Sequence, residues 1–316
     1  MGNVGLGLGV WSLVDIFLNG VLPIFAIGAI GYFLGRIGTF DAAMATAINR
    51  FVFYIAIPAL GFRLIIHAPL EEFSLALLSG FLISELVVYG IGFAVGRYLF
   101  NADAKEAVLL GLACALTNHI MFVLPIAVAL FGEQATAPII AIITMDVILL
   151  FSVTLIIMEI MSAHEGTVKE VAGKIARNPP VVAMISGLAV ALGGLEMPQS
   201  VDVFLDFTGA AAAPCALFSM GIILSQGQAP GRAMLPVAIT AIKLLAHPAL
   251  AWLLLVTFLD LPMAVAAPAM MVAAAPCGAM SFVLALNYKV HVDAISRAIL
   301  YSSIGSLVTI TLAAAL

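Results

Sequence analysis

The residues best able to do chemistry lie in two stretches interrupted by proline. One runs from Thr117-Asn118-His119 to Pro125; the other reads Pro276-Cys277-Gly278. Proline has no N–H, so in a helix Pro125 would strand the carbonyl of Met121, and Pro276 that of Val272. Free backbone groups at bilayer depth are tolerated only where they line a cavity or are buried in protein. Half-helices at such breaks offer N–H groups and a positive dipole end, which suits an anion. Asn118 adds an amide at the same depth, and His119 beside it reads as a satisfied interior histidine or, alternatively, as a proton relay. Three further charges, Glu85, Asp146 and Lys243, fall within apolar stretches. A charge at mid-bilayer costs about 2.5–3.5 kcal/mol on insertion scales, so these residues pair or serve transport. Two structural alternatives stand beside a transport role: Lys243 salt-bridges Asp146 or Glu85, or one acid is protonated and hydrogen-bonded. A carboxylate that gains and loses a proton as the site alternates would couple movement to a proton gradient.

The elements that must position these residues follow from composition. Of 316 residues, 64% are hydrophobic and 9% charged. Soluble domains run at roughly 45–50% and 25%. A spanning helix takes about 20 residues, and apolar segments run at about 12–35, 43–66, 74–98, 107–131, 136–160, 179–196, 202–225, 233–258, 263–287 and 295–316. The expectation is an all-α polytopic membrane protein of ten spans, with the proline breaks in spans four and nine. Cys114, Cys215 and Cys277 all fall in apolar segments, so no disulfide framework is expected. No basic run points to nucleic acid. The chain has no phosphate-binding Gly-rich loop, no His-Glu-x-x-His motif and no Gly-x-Ser-x-Gly elbow. It therefore reads as neither an enzyme nor an ATP-driven motor, with no cofactor and no metal site. With no Lys or Arg before Arg36, it also lacks the pattern of a cleaved signal peptide.

Orientation follows from the basic residues. With the first turn in the cytoplasm, ten of the twelve Lys and Arg fall at cytoplasmic ends: Arg36, Arg50, Arg97, Lys105, Lys169, Lys174, Arg177, Arg232, Lys289 and Arg297. The other two, Arg63 and Lys243, lie inside spans. Glu71, Glu72, Glu133, Glu196, Asp202 and Asp260 fall in the outer loops. This asymmetry predicts both termini outside the cytoplasm. The polar stretch 162–178 carries Val168, Val171, Ala172 and Ile175 at helical spacing, either an amphipathic surface helix or a polar loop. It divides the chain into residues 1–161 and 179–316, five spans each. An odd number per half inverts the second half, as in the inverted repeats of secondary transporters. Pro58-Ala-Leu-Gly-Phe62 in span two and Pro214-Cys-Ala-Leu-Phe218 in span seven are weakly alike. Pro58, Pro138, Pro214 and Pro248 read as kinks. His247 reads as an interior histidine, Arg63 as a snorkelling side chain, and Ser302, Ser303, Ser306 and Thr309 as helix bridges.

Taken in order, several stretches resemble the auxin efflux carrier family, bacterial members included: Leu22-Pro23 to Arg36-Ile-Gly38, Asn49 to Phe62, Thr117-Asn118 through Pro125 to Gly132, Asn178-Pro179, Pro214 to Gly221, Lys243, and Pro276 through Phe282-Val283 to Tyr288. The likeness covers nearly the whole chain. It implies two inverted five-helix repeats of the sodium/proton antiporter and bile-acid symporter kind. Helices four and nine would be broken and cross at the substrate site. It also implies a scaffold domain beside a moving core, small organic anions (mono- or dicarboxylates, auxin-like acids) as substrates, and a homodimer in the inner membrane. Asn118, Pro125 and Pro276 carry over as site residues, with His119 and Gly278 beside them. Val123 stands where the family often has Gly, and His119 where a small hydroxyl residue is common. The expectation is a secondary transporter of a small carboxylate, with Asp146, Lys243 or Glu85 balancing charge or coupling to protons or sodium. The alternative is a cation/proton exchanger on the same fold, with Asp146 as the exchanging group.

Overall fold

The structure, a computed structural model, describes residues 22–68, 73–119, 123, 126–127, 136–163, 168–226 and 232–314. Pro125 lies outside the described residues, as do Glu71, Glu72 and Glu133 of the acidic loops. The described chain is helical, apart from loops and one isolated bridge between Thr117 and Cys277. In order the helices are α1 (Leu22–Arg36), α2 (Ala42–Ile66), α3 (Leu75–Leu99), α4 (Ala104–Ala115), α5 (Ala137–Ser162), α6 (Val168–Ile175), α7 (Pro179–Leu192), α8 (Gln199–Ser225), α9 (Met234–Phe258), α10 (Met263–Ala273), α11 (Met280–Asn287) and α12 (Asp293–Ala314).

Six of these, α2, α3, α5, α8, α9 and α12, are long and apolar enough to cross a membrane. Large apolar side chains cover the outside: Phe33, Phe204 and Phe207 are all exposed, Phe207 at 83%. Water would penalise such a surface, whereas lipid accepts it. The chain is therefore a membrane protein with several apolar helices.

Helix starts follow local chemistry. Asp41 accepts from Met44 N and Asp103 from Glu106 N, each at 2.8 Å. Asn178 caps α7, with Pro179 in its first turn, as the Asn-Pro pair predicts. The 162–178 stretch contains a helix, α6, on the amphipathic pattern. Helices meet through small residues. A Cβ on Gly221 would collide with Gly28 O, and one on Gly31 with the Phe218 carbonyl, so α1 and α8 touch backbone to backbone.

Two of the expected kinks take a specific form. A wide π turn, Val52–Ala56, precedes Pro58, and another, Ile242–Ala246, precedes Pro248. Each wide turn is closed by a backbone N–H donating five residues back, Ile57 N to Val52 O and His247 N to Ile242 O. The second carries Lys243. A further π turn, Asp146–Phe151, carries Asp146 without any proline in it. Asp146 and Lys243 thus sit where their helices depart from regular geometry, whereas Glu85 lies in the regular part of α3.

Candidate functional site

The site begins where α4 stops. After Ala115 the chain turns extended at Leu116 (φ −65, ψ 131). It then runs antiparallel to the segment joining α10 to α11. Gly278 N donates to Leu116 O at 2.8 Å, and Asn118 N donates to Pro276 O at 3.2 Å. The two breaks satisfy one another, which is why both can sit inside the apolar bundle. Gly278 allows the approach: a Cβ there would lie 3.1 Å from Thr117 O. Thr117 Oγ1 donates to Val272 O at 3.1 Å, a carbonyl that Pro276 cannot donate to and that also accepts from Ala275 N at 3.2 Å. From α12, Ser302 Oγ accepts from Cys277 N at 3.1 Å, and Thr309 Oγ1 donates to Ala274 O at 2.6 Å. Of the four expected helix bridges of α12, Ser302 and Thr309 hold this seam, while Ser303 and Ser306 donate to carbonyls of their own helix.

Lys243 is fully buried and has neutral partners. Its Nζ donates to Ala115 O at 3.0 Å and to Thr117 Oγ1, and lies 3.0 Å from His247 Nδ1. An ammonium suits the C-terminal end of α4, where carbonyls lose their helical partners. Among the described residues, no carboxylate comes within ion-pair distance of Lys243, so a direct bridge to Asp146 or Glu85 is not present. The acids sit elsewhere. Asp146 Oδ2 lies 3.0 Å from His119 Nε2, but not in hydrogen-bond geometry. Glu85 is also fully buried, and neither its carboxyl nor that of Asp146 receives a donor from the described residues.

A cavity of about 340 Å³ opens along the seam. Asn118, His119, Asp146 and Gly278 all line it, together with the start of α11 at Ala279 and Met280. First-turn N–H groups have no intrahelical acceptor and can meet a guest. Across the cavity stand Leu60 and Leu64 of α2, Met184 of α7 and Pro214 of α8. The structure thus gathers four of the eight residues singled out from sequence at one wall. Pro276 lies in the seam, Lys243 braces it from behind, and Glu85 lies behind Asp146. Pro125 is outside the described residues.

Two contributors lack a strong sequence signal. Thr117 is one more Thr in an apolar run, and only the fold brings it to Val272 O and Lys243 Nζ. His247 carries a clue: it follows Lys243 by four residues, one helical turn. Arg63 does not snorkel freely. Its guanidinium pairs with Asp202 at 3.2 Å and Asp206 at 3.0 Å, joining α2 to α8.

The chain is similar to other transporters along most of its length. A "Putative malonate transporter" of Rhizobium meliloti (strain 1021) is 29% identical over 305 residues, 92% of each chain. An "Uncharacterized transporter" of Methanothermobacter thermautotrophicus is 25% identical over 303 residues, covering 92% of this chain and 95% of its own. The "Uncharacterized transporter YfdV" of Escherichia coli (strain K12) is 26% identical over 221 residues, 67% of this chain and 70% of its own. A family described as membrane transport protein matches residues 16–314, so the apolar helices and paired breaks described above belong to a member of that auxin-efflux-carrier-type family.

Proposed function

We propose that the protein is a secondary transporter that carries a small carboxylate through the membrane by alternating access. One observation carries this reading: two helix interruptions that satisfy each other's backbone open on one cavity with Asn118, His119 and the start of α11 in its wall. Such paired interruptions are the usual place for a transported anion. The carboxylate would accept from Asn118, from a ring N–H of His119 and from the N–H groups of Ala279 and Met280. Asp146 and Glu85 would take the balancing proton, since one proton between two unpartnered carboxyls supplies the donor that both lack.

The architecture we infer is two inverted five-helix repeats, residues 1–161 and 179–316, joined by the 162–178 linker. In support, the breaks after α4 and α10 hold corresponding places, and the basic residues cluster at one end of the helices. That end would face the cytoplasm, with both termini outside and the protein in the plasma membrane. A homodimer fits the same reading. The second reading is a cation/proton exchanger, favoured by the open oxygens of Asp146 and Glu85.

The test is uptake by the reconstituted protein over a panel of organic acids, with pH and sodium gradients imposed separately. Acid-dependent uptake supports the transporter. Proton flux driven by cations alone, with no acid transported or competing, selects the exchanger.

A further inference from the structure

Lys243 places an ammonium where other membrane proteins hold a free ion. At interrupted helices, unwound carbonyls and the C-terminal ends of half-helices are the groups that coordinate a cation. Here α4 ends at Ala115 and the chain turns extended at Leu116. In a continuing helix Ala115 O would accept from His119 N. The turn takes that partner away, and Lys243 Nζ donates to the carbonyl at 3.0 Å instead.

The second partner is a hydroxyl with a fixed direction. Thr117 Oγ1 gives its proton to Val272 O at 3.1 Å, so toward Lys243 it presents a lone pair. The third is His247 Nδ1, 3.0 Å from Nζ and one helical turn along α9. With its ring proton on Nε2, this imidazole also offers a lone pair. Lys243 and His247 are both fully buried, and the lysine projects from the wide turn Ile242–Ala246. A carbonyl oxygen, a hydroxyl oxygen and an imidazole nitrogen thus converge on one point, matching the three protons of an ammonium. None of the three bears a formal charge. Neutral lone pairs at the negative end of a helix are what replace the water shell of a monovalent cation. A divalent ion would call for carboxylates.

We infer that the end of α4 is a monovalent-cation site and that Lys243 fills it as a tethered ion, supplying the charge that a free cation would otherwise bring. Lys243 is thereby a positioning residue: it holds Ala115 O and Thr117, and Thr117 adjoins Asn118 in the cavity wall. The inference concerns the seam's own charge and holds whatever the cavity carries. Cutting the tether should open a site that a small cation from solution can refill.

The experiment uses the full chain in detergent as wild type, Lys243→Ala, Lys243→Ser and Lys243→Met. Tm is followed in the chlorides of ammonium, methylammonium, potassium, sodium and choline at equal ionic strength. Ala and Ser open the site, whereas Met fills it with a neutral chain of similar bulk. All three variants should melt below the wild type. In Lys243→Ala and Lys243→Ser, ammonium or methylammonium should raise Tm with concentration, as a ligand of the folded state does. At least half of the loss should return, with choline having no effect. The wild type and Lys243→Met should show no preference for ammonium over choline. A lysine that merely braces the seam predicts no such preference in any variant, and that result overturns the inference. So does a Lys243→Ala protein as stable as the wild type. If the Ala and Ser variants do not fold in choline, folded protein recovered by extraction in ammonium chloride supports the inference. No recovery of either variant in any of the salts counts against it.

Discussion

Two polar clusters inside this bundle invite comparison. Near the end of α5, Glu159 Oε1 accepts from Tyr288 Oη at 2.9 Å and from Asn178 Nδ2 at 2.8 Å. Asn178 Oδ1 in turn accepts from Val181 N at 3.5 Å as the cap of α7. That cluster ties the end of α5, the start of α7 and the residue after α11, and every member has a partner. At the seam, by contrast, both oxygens of Asp146 and of Glu85 lack a donor among the described residues, and His119 Nε2 meets Asp146 without forming a hydrogen bond. Buried polar groups without partners are costly. Matched groups hold shape, whereas unmatched ones are kept where a guest or a proton completes them.

The contrast can be broken from either side. Lys243→Met should have the largest effect. It strands Ala115 O and His247 Nδ1, at about 1–3 kcal/mol for each unsatisfied group, and leaves Thr117 Oγ1 only its bond to Val272 O. A large fall in detergent Tm with loss of uptake is expected; an unchanged Tm would show that the ammonium does not brace the seam. Asp146→Asn should separate function from stability. It keeps the shape and removes the exchangeable proton, so uptake should fall by roughly a hundredfold, within the range for a lost proton-transfer group. Tm should hardly move, and full activity in this variant would remove Asp146 from the coupling.

Gly278→Ala places a methyl 3.1 Å from Thr117 O. Overpacking of this kind costs about 1–3 kcal/mol, and uptake should drop with it because the seam must part. Tyr288→Phe removes the hydroxyl that donates to Glu159 Oε1 at 2.9 Å and accepts from Asn178 Nδ2 at 3.4 Å. A loss of about 1 kcal/mol is expected, read as a small Tm decrease with substrate affinity retained. A large loss of affinity would mean that the matched cluster belongs to the site. Smallest of all should be Arg63→Gln. Its pair with Asp202 and Asp206 is partly solvated, and such pairs contribute about 0.2–1 kcal/mol.

Much of the architecture is legible in the residues alone. Long apolar runs announce membrane helices, and their bounds fall within a few residues of those observed for α2, α3, α5, α8, α9 and α12. Pro276 announces the interruption after α10, because a missing N–H is a local property. The break after Ala115 is signalled less directly. Its proline, Pro125, lies outside the described residues, while the helix already stops well before it. The π turns at Asp146 and Lys243 have no clear local signal, since they depend on how neighbouring helices press on the turn.

Apolar excess, charge placement and proline positions are one-dimensional quantities. By themselves they determine that the chain lives in a membrane, where its long apolar helices run, and which few polar residues must answer for being there. Pairing is a three-dimensional quantity. Lys243 could have met either acid, and the fold supplies it with a carbonyl, a hydroxyl and an imidazole instead. The fold also leaves Asp146 and Glu85 without a donor among the described residues and brings Thr117, from a stretch 155 residues away, to the Val272 carbonyl. The reason is physical. An unsatisfied donor or acceptor in an apolar interior must find a partner, but which partner it finds depends on what the packing of distant helices brings within about 3 Å.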